Sequence, residues 1–309
     1  IESYKKAVAA DPRNAKNWSG LGVCLQEAGQ PEEALAAHRK ALEINPDYPE
    51  ATSNLCDTFI QLGQPRDAIE ACNAYLTRHP ADAGVLASKS IALNETGDSE
   101  QLSRLLDLET VVLPVRHEAP EGYSDIDSFN TAIGEHVMRH PTLVASPASH
   151  ATRDGKHTGT LNAGEKGTVA AFEKLIETGI ERYVKSFAGP QDHPVIAYRP
   201  NSYSLSVWAV VLEGEGYQLP HIHPSAWLSG VYYARVPDVA NQGGHDGWIE
   251  FGQPGPEYHT TAEPALRLVK PEPEVMVLFP SYVFHRTVPF DSSETRISIA
   301  FDVVPLRDG

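Results

Sequence analysis

The first third of the chain repeats itself with a period of 34 residues. Pro12, Pro46 and Pro80 are each 34 residues apart, and the turn Gly29-Gln30-Pro31 recurs as Gly63-Gln64-Pro65. Between these turns, apolar residues recur at helical spacing, which indicates paired amphipathic helices. A period of this length is typical of units that stack on their neighbours to bury a continuous core. The pattern therefore predicts a helical solenoid over residues 1–109.

The residues at the fixed positions of this period resemble the tetratricopeptide repeat. The first full unit carries the pattern most completely, at Trp18, Leu21, Gly22, Leu25, Ala34 and Ala41. The second unit, 45–78, departs from it at Cys56 and Tyr75, and the third departs further, as terminal repeats often do. Counting back one period places Tyr4 in the second helix of a still earlier repeat, so we expect the first repeat to be truncated. Targeting signals can therefore be missing from the sequence.

The resemblance implies a groove that receives an extended peptide or a helix of a partner. We expect the groove either to recruit an unknown peptide or protein substrate, or to act as a scaffold or dimerisation surface. The sequence gives these two roles equal weight, and a small-molecule substrate for the rest of the chain also stays open.

Charge and hydropathy limit the other partners. The chain has 41 acidic and 25 basic residues and a formal net charge of −16. Nucleic-acid binding rests largely on Lys and Arg, so this balance argues against it. The sequence also lacks a run of ~18 apolar residues that could cross a bilayer. We therefore expect no nucleic-acid partner, no membrane span and a cytoplasmic location.

The 34-residue period ends near residue 110, and the pattern then changes twice. Residues 110–200 predict a linker with supporting helices at about 126–139 and 166–187, separated by a polar loop that includes His150 and His157. From 201 to 309 the chain reads as short β-strands, at 204–214, 226–236, 247–252, 265–270, 274–280 and 296–304. Strands at this spacing, about eight in all, predict a double-sheet jelly roll. The fold class expected is α+β and multidomain: a helical solenoid followed by a jelly roll with supporting helices.

Three histidines follow strands of the predicted barrel. His221 and His223 come directly after the first long strand as His-Ile-His, and residues two apart in an extended segment project to the same face. His285 lies 62 residues after His223, just beyond another apolar strand. Imidazole nitrogens suit a borderline divalent metal such as Fe(II). The spacing predicts a metal site made of these three residues, whereas His150 and His157 are more typical of ordinary polar loop residues.

Residues 203–303 resemble the superfamily of 2-oxoglutarate- and Fe(II)-dependent oxygenases. The resemblance rests on the stretches HIHPSAWLSGVYYARVP, FPSYVFHRTVPF and RISIAF, together with a G-x-I-x-F strand. It implies a double-stranded β-helix, an iron held by His221 and His285, and dioxygen and 2-oxoglutarate as cosubstrates. It also implies that the far carboxylate of 2-oxoglutarate is bound by Arg296 with Ser298 and Tyr233, and that the nearby Ser229 belongs to the same set of cosubstrate-binding residues. A guanidinium beside a hydroxyl suits that carboxylate chemically.

The sequence departs from the superfamily at His223, where the family pattern has an acidic residue. We expect His223 to be the third metal ligand. Two alternatives stay open: His223 leaves an open coordination position, as in related halogenases, or an acid from elsewhere supplies the ligand, the candidates being Asp246, Glu250 and Asp302.

The resemblance implies a hydroxylase that acts on a substrate delivered by the repeats. Two other functions stay open: a non-catalytic scaffold of repeats with a degenerate metal-binding barrel, and a three-histidine dioxygenase that does not use 2-oxoglutarate. Arg296 with Ser298 argues against the second, because such an enzyme has no use for a carboxylate-binding clamp. Side chains that either line the pocket mouth or pack the barrel are Trp208, Tyr217, Gln218, Trp227, Tyr232 and Trp248.

Overall fold

The structure is a computed structural model that describes residues 1–147 and 150–306. The chain divides into two compact units. The first, called here the repeat unit, contains Ile1–Leu106 together with Pro256–Pro264. The second, called the sheet unit, contains Asp107–Gly255 and the residues from Ala265 onward. The sheet unit thus gives up one internal segment, which belongs to the repeat unit by its contacts.

The repeat unit is built from antiparallel helix pairs joined by tight turns. Three of its helices begin with proline, which lacks the N–H that the first turn of a helix leaves unpaired anyway. The turns between paired helices contain Gly29, Gly63 and Gly97, each with φ near +70°, a conformation that favours glycine. The helices are α1 (Glu2–Ala10), α2 (Ala15–Glu27), α3 (Pro31–Ile44), α4 (Pro49–Gln61), α5 (Pro65–Leu76), α6 (Ala83–Thr96) and α7 (Ser99–Leu106).

Small residues at the helix interfaces explain how closely the repeats pack. Ala34, Ala41, Ala51 and Ala68 are fully buried. Gly22 lies against the imidazole of His38, where a side chain of any size would overlap the ring. The small positions of the 34-residue pattern are therefore the positions where neighbouring helices touch.

The segment Pro256–Pro264 lies against the first helices of successive repeats. The Asp57 carboxylate on α4 accepts hydrogen bonds from the backbone N–H of His259 at 2.9 Å and from its imidazole at 2.8 Å. The Glu95 carboxylate on α6 accepts from the N–H groups of Thr261 and Ala262 at 2.7 and 2.9 Å. The segment is thus held mainly through its backbone.

The sheet unit contains ten strands, all paired antiparallel, among the residues that the structure describes. The strands are β1 (Leu113–Arg116), β2 (Val144–Ala145), β3 (Thr152–His157), β4 (Tyr203–Gln218), β5 (Leu228–Arg235), β6 (Ile249–Phe251), β7 (Arg267–Val269), β8 (Val275–Pro280), β9 (His285–Thr287) and β10 (Ser292–Pro305). Seven form one sheet in the order β1-β8-β5-β10-β4-β3-β2, and three form a second in the order β7-β6-β9.

Helices cover one face of the seven-stranded sheet. The helices of this unit are α8 (Leu108–Val111), α9 (Ile126–Met138), α10 (Thr168–Ser186) and α11 (Pro194–Ala197). The apolar sides of α9 and α10 pack against alternate residues of β10, including Ile297, Ile299 and Phe301, in one buried core. Successive residues of a strand point to opposite faces, so Arg296, Ser298 and Asp302 lie on the other face. In the described residues, every helix is too short or too polar to span a membrane.

The sequence predicted the elements of this unit unevenly. The α+β class is confirmed, all six predicted β segments contain strands, and both predicted supporting helices are present as α9 and α10. The prediction of a polar loop around 150–158 is wrong for Thr152–His157, which forms β3. These residues become a strand because β4 offers them an unpaired edge, so pairing overrides their weak β propensity. The jelly-roll form of the two sheets stays a prediction.

Candidate metal centre

His221, His223 and His285 form one cluster in the sheet unit. One ring nitrogen from each lies within 4.8 Å of the others, close enough to share a metal ion. The backbone fixes their positions: His221 and His285 exchange two N–H···O hydrogen bonds of 3.1 Å, and the N–H of His223 donates to the Ser281 carbonyl at 2.9 Å. The three predicted metal ligands are thus brought together by pairing between distant parts of the chain.

Hydrogen bonds at Nδ1 set the direction of each imidazole. Nδ1 of His221 lies 2.8 Å from the Leu219 carbonyl, and Nδ1 of His285 lies 3.1 Å from the Val283 carbonyl. A carbonyl oxygen can only accept, so both rings carry their proton on Nδ1 and keep a free lone pair on Nε2. Nε2 of His223 is buried with no hydrogen-bond partner among the described residues. A buried acceptor without a partner is costly, and an ion bound there would satisfy it.

Burial keeps the imidazoles of His221 and His285 neutral. Loss of solvation, reinforced by the neighbouring His223, lowers the pKa of His221 to about 4. The pKa of His285 is also lowered by burial and by the two other histidines. Neutral imidazole is the form that binds a metal, so near neutral pH these two ligands have no proton to lose on binding.

Arg296, Ser298 and Tyr233 lie together on the same face of the sheet. Arg296 is 2% exposed, and its Nε has no hydrogen-bond partner within the described part of the chain. Its NH1 donates to the hydroxyl of Ser298 at 3.3 Å, and its guanidinium carbon lies 4.9 Å from the centre of the Tyr233 ring. Burial lowers the pKa of Arg296 and raises that of Tyr233. A buried guanidinium with no carboxylate partner suits an anionic ligand.

A cavity of about 170 Å³ connects the histidines with this group. It is lined by the three histidines and by Arg296, Ser298, Tyr233 and Ser229, which are all the site residues predicted from the sequence. The three histidines and the Arg296 group therefore open into one chamber, which a single ligand could span.

One wall of the cavity contains Trp208 and two histidines, His150 and His157, that the sequence did not assign to the site. The indole of Trp208 stacks on His223 with ring centres 5.5 Å apart, and His157 stacks on Trp208 at 6.2 Å. His150 lies edge-on to His157 at 4.9 Å, and both histidines line the cavity. The loop prediction is therefore wrong for His157, which lies in β3, whereas His150 lies in an exposed bend before that strand. The alternation of β3 could have revealed His157 only if that strand had been recognised.

The other side chains considered for the pocket mouth divide between the two expected roles. Gln218 lines the cavity with Trp208. By contrast, Trp227 donates to the Val195 carbonyl at 2.8 Å, Tyr232 donates to Asn130 at 2.5 Å, and Trp248 donates to the Ala240 carbonyl at 3.1 Å. These three side chains use their polar atoms within the packed structure. Tyr217 lies opposite Arg153 in the pairing of β3 with β4.

The acidic residues considered as alternative ligands are engaged elsewhere or lie outside the cluster. Glu250 forms a two-point ion pair with Arg286, at 2.6 and 3.1 Å. Asp302 contacts Nδ1 of His223 and so lies behind the imidazole. Asp246 is exposed, and the cluster found in the described residues contains histidines alone. The donor set of three imidazoles fits a divalent metal such as iron.

Comparison with known families agrees with this geometry. The family described as "Putative 2OG-Fe(II) oxygenase" matches residues 206–302, a range that includes every residue of the cluster and of the Arg296 group. Two tetratricopeptide repeat families match residues 25–90 and 3–36.

Individual relatives each match part of the chain. A peroxisomal targeting signal receptor of Kluyveromyces lactis is 28% identical over 96 residues, covering 29% of this chain. The chain spans 17% of the length of that receptor. A Pseudomonas putida prolyl-4-hydroxylase structure has a TM-score of 0.45 at 14% identity, covering 65% of this chain and 96% of the other. A Trichoplax adhaerens prolyl hydroxylase, solved with a peptide fragment of hypoxia inducible factor, has a TM-score of 0.42 at 13% identity, covering 68% and 92%. By its family matches, the chain carries tetratricopeptide repeats together with a 2OG-Fe(II) oxygenase domain.

Proposed function

We propose that the chain is an Fe(II)- and 2-oxoglutarate-dependent hydroxylase whose metal is bound by His221, His223 and His285. The observation that carries the proposal is the cavity that joins two unsatisfied groups, the free Nε2 of His223 and the buried guanidinium of Arg296. One group suits a metal cation and the other a carboxylate. 2-Oxoglutarate has the two ends that these groups need.

The residues divide the work. The three histidines hold the iron, and Arg296 with Ser298 and Tyr233 holds the far carboxylate of 2-oxoglutarate. An iron bound there would supply the dioxygen chemistry that couples decarboxylation of 2-oxoglutarate to oxidation of a C–H bond. Most side chains that line the chamber are buried, which limits the access of water, and the indole of Trp208 stacks on the imidazole of His223 and helps to hold that ring.

The buried arginine separates this proposal from a dioxygenase that needs no 2-oxoglutarate. Keeping a buried guanidinium that has no carboxylate partner among the described residues destabilises a fold unless an anion binds there. An enzyme that never binds a second carboxylate gains nothing from that arrangement.

The test is a titration of 2-oxoglutarate into Mn(II)-loaded protein, followed by oxygen-dependent succinate release with Fe(II). We expect binding and turnover in the wild-type chain and neither in His285→Ala, which loses a metal ligand. His245→Ala is the matched control, because His245 is exposed and lies outside the cluster. Absence of 2-oxoglutarate binding to metal-loaded wild-type protein would contradict the proposal.

For the repeats we propose recognition of extended peptide backbone by the first helices, at the surface formed by Gln26, Asp57, Asn94 and Glu95, called here the repeat face. The support is the way this face holds the chain's own segment. Asn94 donates to the Ala262 and Glu263 carbonyls at 3.4 and 3.3 Å. Gln26 holds Asp57 at 2.6 Å. Asn94 and Glu95 thus bind backbone groups of the segment. Any extended peptide has the same groups.

The experiment uses the full chain and a labelled synthetic peptide with the sequence of residues 256–264. Thr261→Pro removes the N–H that Glu95 binds and should release the segment while the repeat face stays intact. We expect the peptide to bind the Thr261→Pro chain and not the wild type. Glu263→Ala, which keeps every backbone contact, should behave as wild type. Equal binding to both chains, or binding to neither, would overturn the proposal.

A further inference from the structure

The imidazole of His223 differs from its two neighbours in what holds it. Nδ1 of His223 lies 2.9 Å from Oδ2 and 2.8 Å from Oδ1 of Asp302. His221 and His285 instead donate to neutral backbone carbonyls. A carboxylate behind the ring fixes the proton on Nδ1 and directs Nε2 toward the cluster.

Asp302 is held in place by the buried hydroxyl of Ser229, which in turn contacts the buried hydroxyl of Ser281. Ser229 donates to Oδ1 of Asp302 at 2.6 Å, and the hydroxyls of Ser229 and Ser281 lie 2.8 Å apart. Both serines are at most 1% exposed. The backbone carbonyl of Ser281 accepts from the N–H of His223, so the four residues form a closed ring of hydrogen bonds.

Strand pairing explains why these residues meet. Asp302 on β10 is directly opposite Ser229 on β5, and His223 lies 79 residues earlier in the chain than Asp302. Asp302 shares the cavity face of β10 with Arg296 and Ser298, because the three are separated by even numbers of residues. The carboxylate is therefore placed behind the metal cluster by the same alternation that places Arg296 in the cavity.

We propose that Asp302 is a positioning residue for the metal that acts through His223, with Ser229 and Ser281 fixing its orientation. The superfamily resemblance implies an acidic ligand at position 223. In this chain the negative charge is on Asp302, which would act on the metal through the imidazole of His223. This inference rests on the proposed function, since it needs a metal on Nε2 of His223. It also gives Ser229 a role distinct from the predicted contact with 2-oxoglutarate.

A carboxylate behind a ligating imidazole makes that ligand more basic and holds its ring angle. Loss of such a partner typically weakens metal binding by about 10- to 100-fold. The charge and the geometry can be separated by two substitutions. Asp302→Asn keeps the shape and one acceptor oxygen but removes the charge, whereas Asp302→Ala removes both.

The experiment is an equilibrium titration of the full metal-free chain with Co(II), followed by visible absorption. We expect Asp302→Asn to bind about 10-fold more weakly than wild type, and Asp302→Ala to bind up to about 100-fold more weakly. The Co(II) band positions should stay those of the wild type, because the three ligands are unchanged. Ser229→Ala should weaken Co(II) binding as well, because Asp302 then loses the hydroxyl that donates to it. Asp246→Asn, the same change at an exposed site, should match the wild type, and thermal denaturation of each metal-free variant verifies folding.

Several results would overturn the inference, and they differ from one another. Wild-type affinity in Asp302→Ala would show that Asp302 does not act on the metal. A changed Co(II) spectrum in Asp302→Ala, with wild-type binding in His223→Ala, would make Asp302 the ligand itself. A wild-type chain that binds no Co(II), Mn(II) or Fe(II) would remove the proposed function and the inference together.

Discussion

The guanidinium carbon of Arg296 lies 4.9 Å from the centre of the Tyr233 ring, and both side chains are buried. The aromatic face offers partial compensation to the cation, but it replaces neither water nor a carboxylate. The buried cation therefore lowers the stability of the free protein, and an anion bound at the proposed site would recover that stability.

This relationship predicts opposite effects of Arg296→Met on binding and on stability. Affinity for 2-oxoglutarate should fall at least about 30-fold, because the buried carboxylate loses its partner. The melting temperature of the free protein should stay the same or rise, because an unpaired buried charge is removed. Calorimetry and thermal denaturation measure the two effects. Arg235→Met, at the exposed end of β5, is the control, and retained 2-oxoglutarate affinity in Arg296→Met would contradict the prediction.

Replacing His223 by the acidic residue that the superfamily resemblance implies at this position should not improve metal binding in this chain. In His223→Asp the new carboxylate would face Asp302 with no imidazole between them, and like charges at close range repel. We expect metal affinity to fall at least about tenfold and to recover partly when Asp302→Asn is added. Titration of both variants with Mn(II) measures the difference. Full wild-type affinity in the single variant would show that Asp302 and the metal site are independent.

The centre of the sheet has a position that admits no side chain. A Cβ on Gly230 would overlap the ring of Phe301, its partner across β5 and β10. Gly230→Ala should destabilise the chain by about 1 to 3 kcal/mol, since the packed sheet must shift to make room. Chemical denaturation gives the value. Gly244→Ala, where the nearest atom is 3.7 Å away, should change stability by less than about 0.5 kcal/mol.

The repeat unit should lose stability in mild acid through His38. This residue is fully buried, neither ring nitrogen has a hydrogen-bond partner among the described residues, and burial lowers its pKa to about 4 from 6.5. Between these pKa values the unfolded chain binds a proton that the folded chain does not, so stability present above pH 6.5 is lost as pH falls. The expected loss between pH 7.5 and 5 is about 2 kcal/mol.

Urea denaturation followed by the helical circular dichroism signal tests this dependence. His38→Leu should show a flatter pH profile, because it removes the titrating group while keeping an apolar side chain. His79→Leu is the control, since His79 is a partly exposed histidine of the same unit that pairs with Asp47. An unchanged slope in His38→Leu would assign the acid sensitivity to other groups.

Periodicity and spacing predicted the helices and strands of this protein better than they predicted its long-range contacts. The 34-residue period indicated the helix pairs. The β-rich segments indicated the strand that holds Arg296 and the two strands after which His221 and His285 follow. The Asp302 contact with His223 spans 79 residues and depends on the order of strands in the sheet, which no local pattern encodes. For the same reason β3 was missed, and with it the position of His157. The segment Pro256–Pro264 reads as an ordinary loop between β6 and β7, because nothing in its sequence specifies which unit it contacts.

That segment changes how any peptide must approach the repeats. Because it is covalently attached, it meets the repeat face at an effective concentration that tethering typically raises to the millimolar range. A free peptide with the same contacts and micromolar abundance would be outcompeted about a thousandfold. A peptide that used the repeat face would therefore have to be abundant, multivalent or able to make contacts beyond those that the chain already makes with itself.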